Sequence, residues 1–322
     1  MKNKTAFITG GCGYVGREIV KKLLPLYDKI TILDRPDCDT TWIKSSKIEM
    51  LYGDICKIET FANKIEPKSD VLHFAAFGGG RRETFKSFRQ LNVQGTANLL
   101  DACIQRAAGR FIFISSVAAA GSLKNGRFDG KPRSIYGISK REAEEYIFKK
   151  AQGKIAATII RPPLIYAPQP HRDSGVYNLV KFTKGRFYPI VGDGKNYLCL
   201  CSLSNLVRAI VFCLNSSQLE TKTYFVRDER LFTYKQFIRR IVELSSSKAR
   251  VVFVPKILFS VAAYISLFVS WFLKRNFGLP FDTYLGATSN RLFFETQKIK
   301  KAGFVAVDSF EEDFTKILEQ LK

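Results

Sequence analysis

At 322 residues, 46% of them hydrophobic, the chain is long enough for about two domains around a sizeable core, which excludes disorder, a collagen-like fibre and a small disulfide scaffold. Lys and Arg number 51 against 29 Asp and Glu, and the formal charge of +22 favours an anionic partner over a cationic one. Of the seven cysteines only Cys199 and Cys201 lie close, in neither a zinc-ribbon nor a redox spacing, so all are read as reduced, mostly buried thiols. His73 and His171 are far apart and no acidic or cysteine cluster flanks them, so no metal site is expected. The amino terminus has charge but no apolar stretch long enough for a signal peptide, which points to a cytoplasmic protein.

Short apolar runs rich in β-branched and aromatic residues, at 5–9, 30–33, 48–52, 71–75, 111–114 and 156–160, read as buried strands. Segments with helical spacing at 15–26, 91–108 and 136–151 lie between several of them. This alternation predicts an α/β fold, a Rossmann-type doubly wound parallel sheet covered on both faces, over 1–165. Beyond Arg161-Pro162-Pro163 the pattern loosens, with strand-like pieces at 197–200 and 223–226 and helices near 205–214 and 234–245. A smaller C-terminal substrate-binding lobe is placed at 166–322, and 197–215 is expected to return to the first domain as an extra strand and helix.

Thr9-Gly10-Gly11-Cys12-Gly13-Tyr14-Val15-Gly16 follows the first strand directly and opens an amphipathic helix, the context a dinucleotide-binding turn requires. Gly10 suits the tight turn, Gly13 the close approach of a diphosphate, and Gly16 the packing of helix on strand. Free N–H groups at the helix start would face the phosphates. Asp34 ends the second strand eighteen positions after Gly16, near the spacing at which a carboxylate bonds the adenosine ribose hydroxyls and repels a 2′-phosphate. NAD is therefore expected, with NADP the alternative if Asp34 turns away and Arg35 takes the phosphate.

Tyr136 and Lys140 are four residues apart on a predicted helix and share a face. A phenol is a poor base at neutral pH, and a nearby ammonium is expected to lower its pKa. Ser116 ends the fifth strand, at the carboxyl edge where a parallel sheet presents groups to a ligand crevice, and its hydroxyl can bond the reacting oxygen. Alone, the Tyr-to-Lys spacing would read as an amphipathic surface pair. After a glycine turn and a Ser-Ser strand end it reads as acid/base machinery.

These motifs, with Gly53-Asp54-Ile55, His73-Phe74-Ala75-Ala76, Asn92-Val93-Gln94-Gly95-Thr96 and Arg161-Pro162-Pro163 in order, resemble the extended short-chain dehydrogenase/reductase family. That group contains nucleotide-sugar epimerases and dehydratases and 3β-hydroxysteroid dehydrogenases. The resemblance implies Tyr136 as general acid/base, Lys140 on the nicotinamide ribose, Ser116 polarising the substrate oxygen, and Asn92 supporting the geometry. It adds Tyr14, Val15, Asp54, Ile55, Ala75 and Pro162 to the cofactor contacts, and a homodimer packed through helices such as the one beginning at Tyr136. Ile135 stands where a proline often occurs, Tyr166-Ala167-Pro168 lacks the usual glycine, and Ser202-Leu203-Ser204-Asn205-Leu206 lacks the family's aspartates at the strand-to-helix turn.

For the substrate, Arg81 and Arg82 follow the fourth strand at the crevice edge and could clamp a phosphate or carboxylate, or belong to a solvated loop. The charge-free run 257–273, between Lys256 and Lys274-Arg275, is weighed as a lobe helix, a peripheral membrane contact or, at the lower length limit, a span. The aromatic and basic residues at 181–188 lack the accompaniments of a nucleic-acid site, and no nucleic acid is expected. Three readings follow: an enzyme of an anionic nucleotide-sugar, an enzyme of a sterol or lipid alcohol, and a non-catalytic dinucleotide-binding scaffold.

Overall fold

The computed structural model describes residues 4–77, 84–121, 123–124, 127–168, 175–215, 221–259, 261, 294 and 296–320. The first half runs β1 (Thr5–Thr9), α1 (Tyr14–Leu23), β2 (Lys29–Asp34), β3 (Ile48–Tyr52), β4 (Asp70–His73) and α2 (Phe85–Phe88). A π-helical stretch, Arg89–Gln94, carries α2 into α3 (Gly95–Gln105). There follow β5 (Arg110–Ile114), a two-residue hairpin of β6 (Leu123–Lys124) and β7 (Arg127–Phe128), α4 (Ile135–Ala151) and β8 (Ala156–Arg161). The second half contains β9 (Leu164–Tyr166), α5 (Gly175–Lys181), β10 (Phe187–Val191), β11 (Tyr197–Leu198), β12 (Leu200–Ser202), α6 (Leu203–Leu214), β13 (Lys222–Phe225), β14 (Phe232–Thr233), α7 (Tyr234–Leu244), β15 (Arg250–Val254), α8 (Gln297–Lys301) and α9 (Phe310–Glu319).

Seven strands form one parallel sheet in the order β13-β8-β5-β4-β1-β2-β3. Side chains alternate between its faces, as the pleat requires. Ile8, Ile30 and Ile32 face α1 and α6, among Ile19, Val20, Leu206 and Ile210. Phe7, Val71, Phe111 and Phe113 face α3 and α4, among Leu99, Leu100, Cys103 and Ile147. Apolar residues on both faces explain why the strands read as continuous apolar runs. The order reverses between β1 and β4, so the crevice at their carboxyl ends is where such a sheet takes a ligand.

A third core gathers Tyr166, Val180, Tyr188, Ile190, Phe237, Ile241, Phe310, Phe314 and Ile317 from elements after β8. The stretch 197–215 divides differently from the expectation. Its helix α6 packs in the α1 core, but β12 pairs with β9, and the strand that extends the large sheet is β13, in register Lys222↔Thr158. Pro162 and Pro163 have no N–H to donate, so the chain leaves the large sheet after Arg161 and β9 finds a new partner in β12. The parallel pair β10–β15 has no counterpart in the sequence reading, because its outer face is solvated and its partners lie far apart in the chain.

Among the described residues no helix is long and apolar enough to cross a membrane. Most of 257–273 lies outside the described residues, as do Arg81, Arg82 and His171. Ile257, Leu258 and Val261, at the start of that run, are exposed.

Phe314 is fully buried and lies 4.4 Å from Phe310, 5.0 Å from Tyr166 and 5.5 Å from Phe237, ring centre to ring centre. Phe314→Ala should cost about 3–5 kcal/mol in urea unfolding. A loss below about 1 kcal/mol would mean that this core is not packed as described.

Candidate active site

The glycine turn is fixed by what surrounds it. Gly10 has φ +68°, and a Cβ there would lie 2.6 Å from the Ala75 backbone N, so the turn is pressed onto the end of β4. A Cβ on Gly16 would come within 2.2 Å of the Gly10 carbonyl oxygen, which ties α1 to the turn. Gly13 is exposed and has ordinary φ, and its Cβ would meet only the Gly10 oxygen at 3.2 Å; the space that glycine leaves there opens outward. Gly13 is also the N-cap of α1, with no side-chain cap, so the first N–H groups of the helix stay available for an anion.

Asp34 ends β2 beside this turn. Its Oδ2 accepts the Cys12 N–H at 2.9 Å and its Oδ1 accepts the Arg35 N–H at 2.9 Å, which aims the carboxylate across the turn. The Arg35 side chain is exposed and lies 3.6 Å from Asp37. The Gly53 N–H donates to the Asp34 carbonyl, bringing exposed Asp54 and buried Ile55 to the same edge. Val15 is half-buried, and Tyr14 packs toward the α1–α6 core with its Oη buried and unbonded. The pyrophosphate cradle, the uncapped helix and the ribose-spaced carboxylate together fit a dinucleotide.

The proposed catalytic groups converge on the carboxyl ends of β4 and β5. Ser134 caps α4, its Oγ accepting the Gly137 N–H at 3.0 Å, and Tyr136 follows in the first turn. Ser116 ends β5 next to the Tyr136 phenol, and its Oγ accepts the Ala118 N–H at 3.2 Å. Lys140, one turn on, is buried; its Nζ donates to the Ile114 carbonyl at 2.9 Å and lies 5.9 Å from the centre of the Tyr136 ring. Pro162, at the end of β8, accepts the Val117 N–H at 3.1 Å and closes the floor behind Ser116.

Asn92 sits in the π-helical stretch, almost fully buried. Its Oδ1 accepts the Phe77 N–H at 2.7 Å, and its Nδ2 donates to the Phe77 carbonyl at 3.1 Å and to Ser139 Oγ at 3.0 Å. Ser139 donates in turn to the Tyr136 carbonyl at 2.8 Å. Behind Asn92, Thr96 donates to the Asn92 carbonyl at 2.6 Å, so His73 Nε2–H must donate to Thr96 Oγ1 at 2.9 Å. His73 Nδ1 then accepts from Thr9 at 2.7 Å. A buried chain thus runs from β1 through β4 and α3 to α4, which carries Tyr136. Burial, with the Lys140 charge, holds His73 well below its ordinary pKa, so it serves as a neutral connector.

A second buried group supports Lys140. Glu144, one turn beyond it, accepts from Ser115 Oγ at 2.5 Å and is gripped by Arg161 through Nε at 2.8 Å and a second guanidinium nitrogen. Ser115 and Ser116 therefore divide the work, one facing Glu144 and the other Tyr136. Sequence reasoning missed Thr9, Thr96, Ser139 and Glu144 as contributors; the only signal was Glu144 continuing the four-residue ladder from Tyr136 and Lys140. It also missed Asp228. Asp228 accepts from Ser202 N at 2.9 Å, Asn205 Nδ2 at 2.7 Å and Tyr166 Oη at 2.7 Å, filling the place left by the absent turn aspartates.

The electrostatics differ from the expected lowering of the phenol. Burial pushes Tyr136 up to about 12, opposed by the neighbouring Ser116 hydroxyl. Burial brings Lys140 down to about 7, opposed by the Glu144 charge. Desolvation dominates both groups, and the lysine nitrogen is engaged with the Ile114 carbonyl rather than the phenol oxygen.

A Rossmann sheet with a dinucleotide cradle at its switch point and a Ser-Tyr-Lys cluster beside it defines the class of nicotinamide-dependent oxidoreductases. The model of the NAD dependent epimerase/dehydratase family matches residues 6–226, and the chain belongs to that family. It is an enzyme of the extended short-chain dehydrogenase/reductase type, and its cofactor is NAD. It is 28% identical to the UDP-glucose 4-epimerase of Vibrio cholerae, over 74% of this chain and 75% of that one. It is 23% identical to the decarboxylating sterol-4-alpha-carboxylate 3-dehydrogenase of Bos taurus, over 75% and 70% respectively. Its fold is similar to that of the Thermotoga maritima UDP-glucose 4-epimerase solved with UDP-glucose, with TM-score 0.77, 20% identity and 98% of each chain covered. It is also similar to that of a Streptomyces venezuelae dTDP-glucose 4,6-dehydratase, with TM-score 0.77, 19% identity and 98% and 96% coverage.

The Lys140 shift has a signed consequence. Between its folded value of about 7 and the ordinary 10.5, the unfolded chain binds the extra proton, so stability from this group rises with pH through that window. The unfolding free energy of the parent relative to Lys140→Met should therefore increase by roughly 1–3 kcal/mol from about pH 7 to about pH 9, in urea titrations without added nucleotide. A pH-independent difference would contradict the burial of the ammonium.

Proposed function

We propose that this chain is an epimerase/dehydratase-type oxidoreductase of a nucleotide-sugar, with Tyr136 as general acid/base. The observation that carries the reading is the convergence of Ser116 at the end of β5, Tyr136 in the first turn of α4 and Lys140 buried one turn further on, its Nζ held by the Ile114 carbonyl at 2.9 Å. When bound, NAD supplies the hydride acceptor and donor at its nicotinamide ring. Ser116 holds the substrate oxygen against the phenol. Tyr136 takes the hydroxyl proton as the alcohol becomes a ketone and returns it on the reverse step. Lys140, one turn from Tyr136 with its nitrogen on the Ile114 carbonyl, would reach the nicotinamide ribose, and Glu144 favours the charged form of that amine. Asn92 fixes the α4 end that carries Tyr136 through Ser139. Gly10, Gly13, Gly16, Val15 and the start of α1 cradle the pyrophosphate, Asp34 bonds the ribose, Asp54 and Ile55 border the adenine, and Ala75 and Pro162 line the nicotinamide side.

The anionic substrate is supported by the net charge of +22 and by relatives whose names include UDP-glucose 4-epimerase. A lipid alcohol is the second reading. It is favoured by the exposed Ile257, Leu258 and Val261 and by the sterol-carboxylate dehydrogenase relative.

Thermal unfolding of the NAD-loaded protein separates the two. UDP- and dTDP-hexoses should raise the midpoint by several degrees, whereas sterols solubilised in detergent should leave it unchanged. The opposite pattern would replace the nucleotide-sugar reading with the lipid one. In the same protein, Asp34→Asn should weaken NAD binding about tenfold or more by calorimetry, since a hydrogen bond to a charged group contributes roughly 1.5–3 kcal/mol. Unchanged affinity would remove Asp34 from the ribose.

A further inference from the structure

We propose that Cys12, Asp34 and Cys38 form a binding site for a thiophilic divalent cation of the zinc class, and that its occupation excludes NAD. Cys12 lies inside the glycine turn, buried, and Cys38 lies in the turn just beyond β2, whose N–H donates to the Arg35 carbonyl at 3.2 Å. Their sulfurs and an Asp34 carboxylate oxygen all lie within 4.8 Å of one another. Around a tetrahedral zinc with sulfur at about 2.3 Å and oxygen at about 2.1 Å, ligand atoms are roughly 3.5–3.8 Å apart, so a small inward movement of Cys38 completes three ligands. Cys38 is half-buried and can make that movement, and it leaves the fourth position open to water.

Two features favour a cation over chance proximity. The carboxylate is already oriented by the Cys12 and Arg35 N–H groups at 2.9 Å each, which act as outer-shell support. Arg17, whose charge reaches the Cys12 thiol, is paired with Asp39 at 2.9 Å, which offsets part of that charge. Two thiols and one carboxylate match zinc, and not magnesium or calcium, in their softness. Binding converts both thiols to thiolates and releases two protons per cation, so affinity rises with pH.

The exclusion of NAD rests on the assignment of Asp34 to the adenosine ribose; the cation site does not. One carboxylate held by the metal is withdrawn from the ribose hydroxyls, and linkage requires NAD to weaken the cation by the same factor that the cation weakens NAD.

The test uses the full chain in chelator-treated buffer and Co²⁺ as a visible substitute for Zn²⁺. Titration should produce the sulfur-to-cobalt charge-transfer absorption at one equivalent, and Zn²⁺ should abolish it. Cys38→Ser should weaken Co²⁺ binding at least about tenfold, whereas Cys56→Ser, at a half-buried cysteine outside the cluster, should leave it unchanged. Absence of the band, or its persistence in Cys38→Ser, overturns the site. Saturating NAD should bleach the band, and a band indifferent to NAD overturns the exclusion. NAD affinity measured without metal, on the parent and on Asp34→Asn, reports separately on the ribose assignment, so its failure cannot be mistaken for failure of the cation site.

Discussion

The parallel pairing of β1 with β4, which sets Thr9 opposite His73, is the constraint on which the active site depends. It presses Gly10 against Ala75, so the phosphate turn and the nicotinamide side of the crevice are built from one junction. It also aims His73 at Thr9 and Thr96, and through Asn92 and Ser139 at the helix that carries Tyr136. A slip of one residue between these strands would turn His73 to the opposite face and break the chain at its centre. Every donor and acceptor along it is satisfied, which is the condition under which a buried polar network rigidifies a site instead of weakening it.

Onto this frame the protein places an amine and a phenol that burial pushes apart in acidity: Tyr136 up to about 12 and Lys140 down to about 7. The Glu144–Arg161–Ser115 cluster counters part of the desolvation of Lys140 without touching the reacting groups. The protein surroundings alone therefore do not set Tyr136 near neutrality. Ser116 opposes the burial of the phenol only in part.

Much of this was legible in the sequence because its signals are local. Six strands of the first half, β1–β5 and β8, needed only their apolar runs, and Gly10, Asp34, Ser116, Tyr136 and Lys140 stood at strand ends or on one helix face. What stayed hidden was set by long-range pairing. Neither β10–β15 nor the departure of β9 toward β12 has a local mark, because the partners of each pair are separated by tens of residues. Asp228 supplies its carboxylate to Ser202 and Asn205 from beyond a strand, where no spacing rule reaches. The proximity of Cys12 to Cys38 likewise follows from the fold of β2 beside the glycine turn and not from their spacing.

The central claim is that Tyr136 moves the proton that accompanies oxidation of the substrate. It is tested most directly by rapid mixing of the NAD-loaded protein with a nucleotide-sugar that it binds, following reduced-nicotinamide absorbance in the parent and in Tyr136→Phe at equal NAD occupancy. The account predicts a signal in the parent that forms about 10²–10⁴-fold more slowly without the phenol. Equal rates in the two proteins would contradict it.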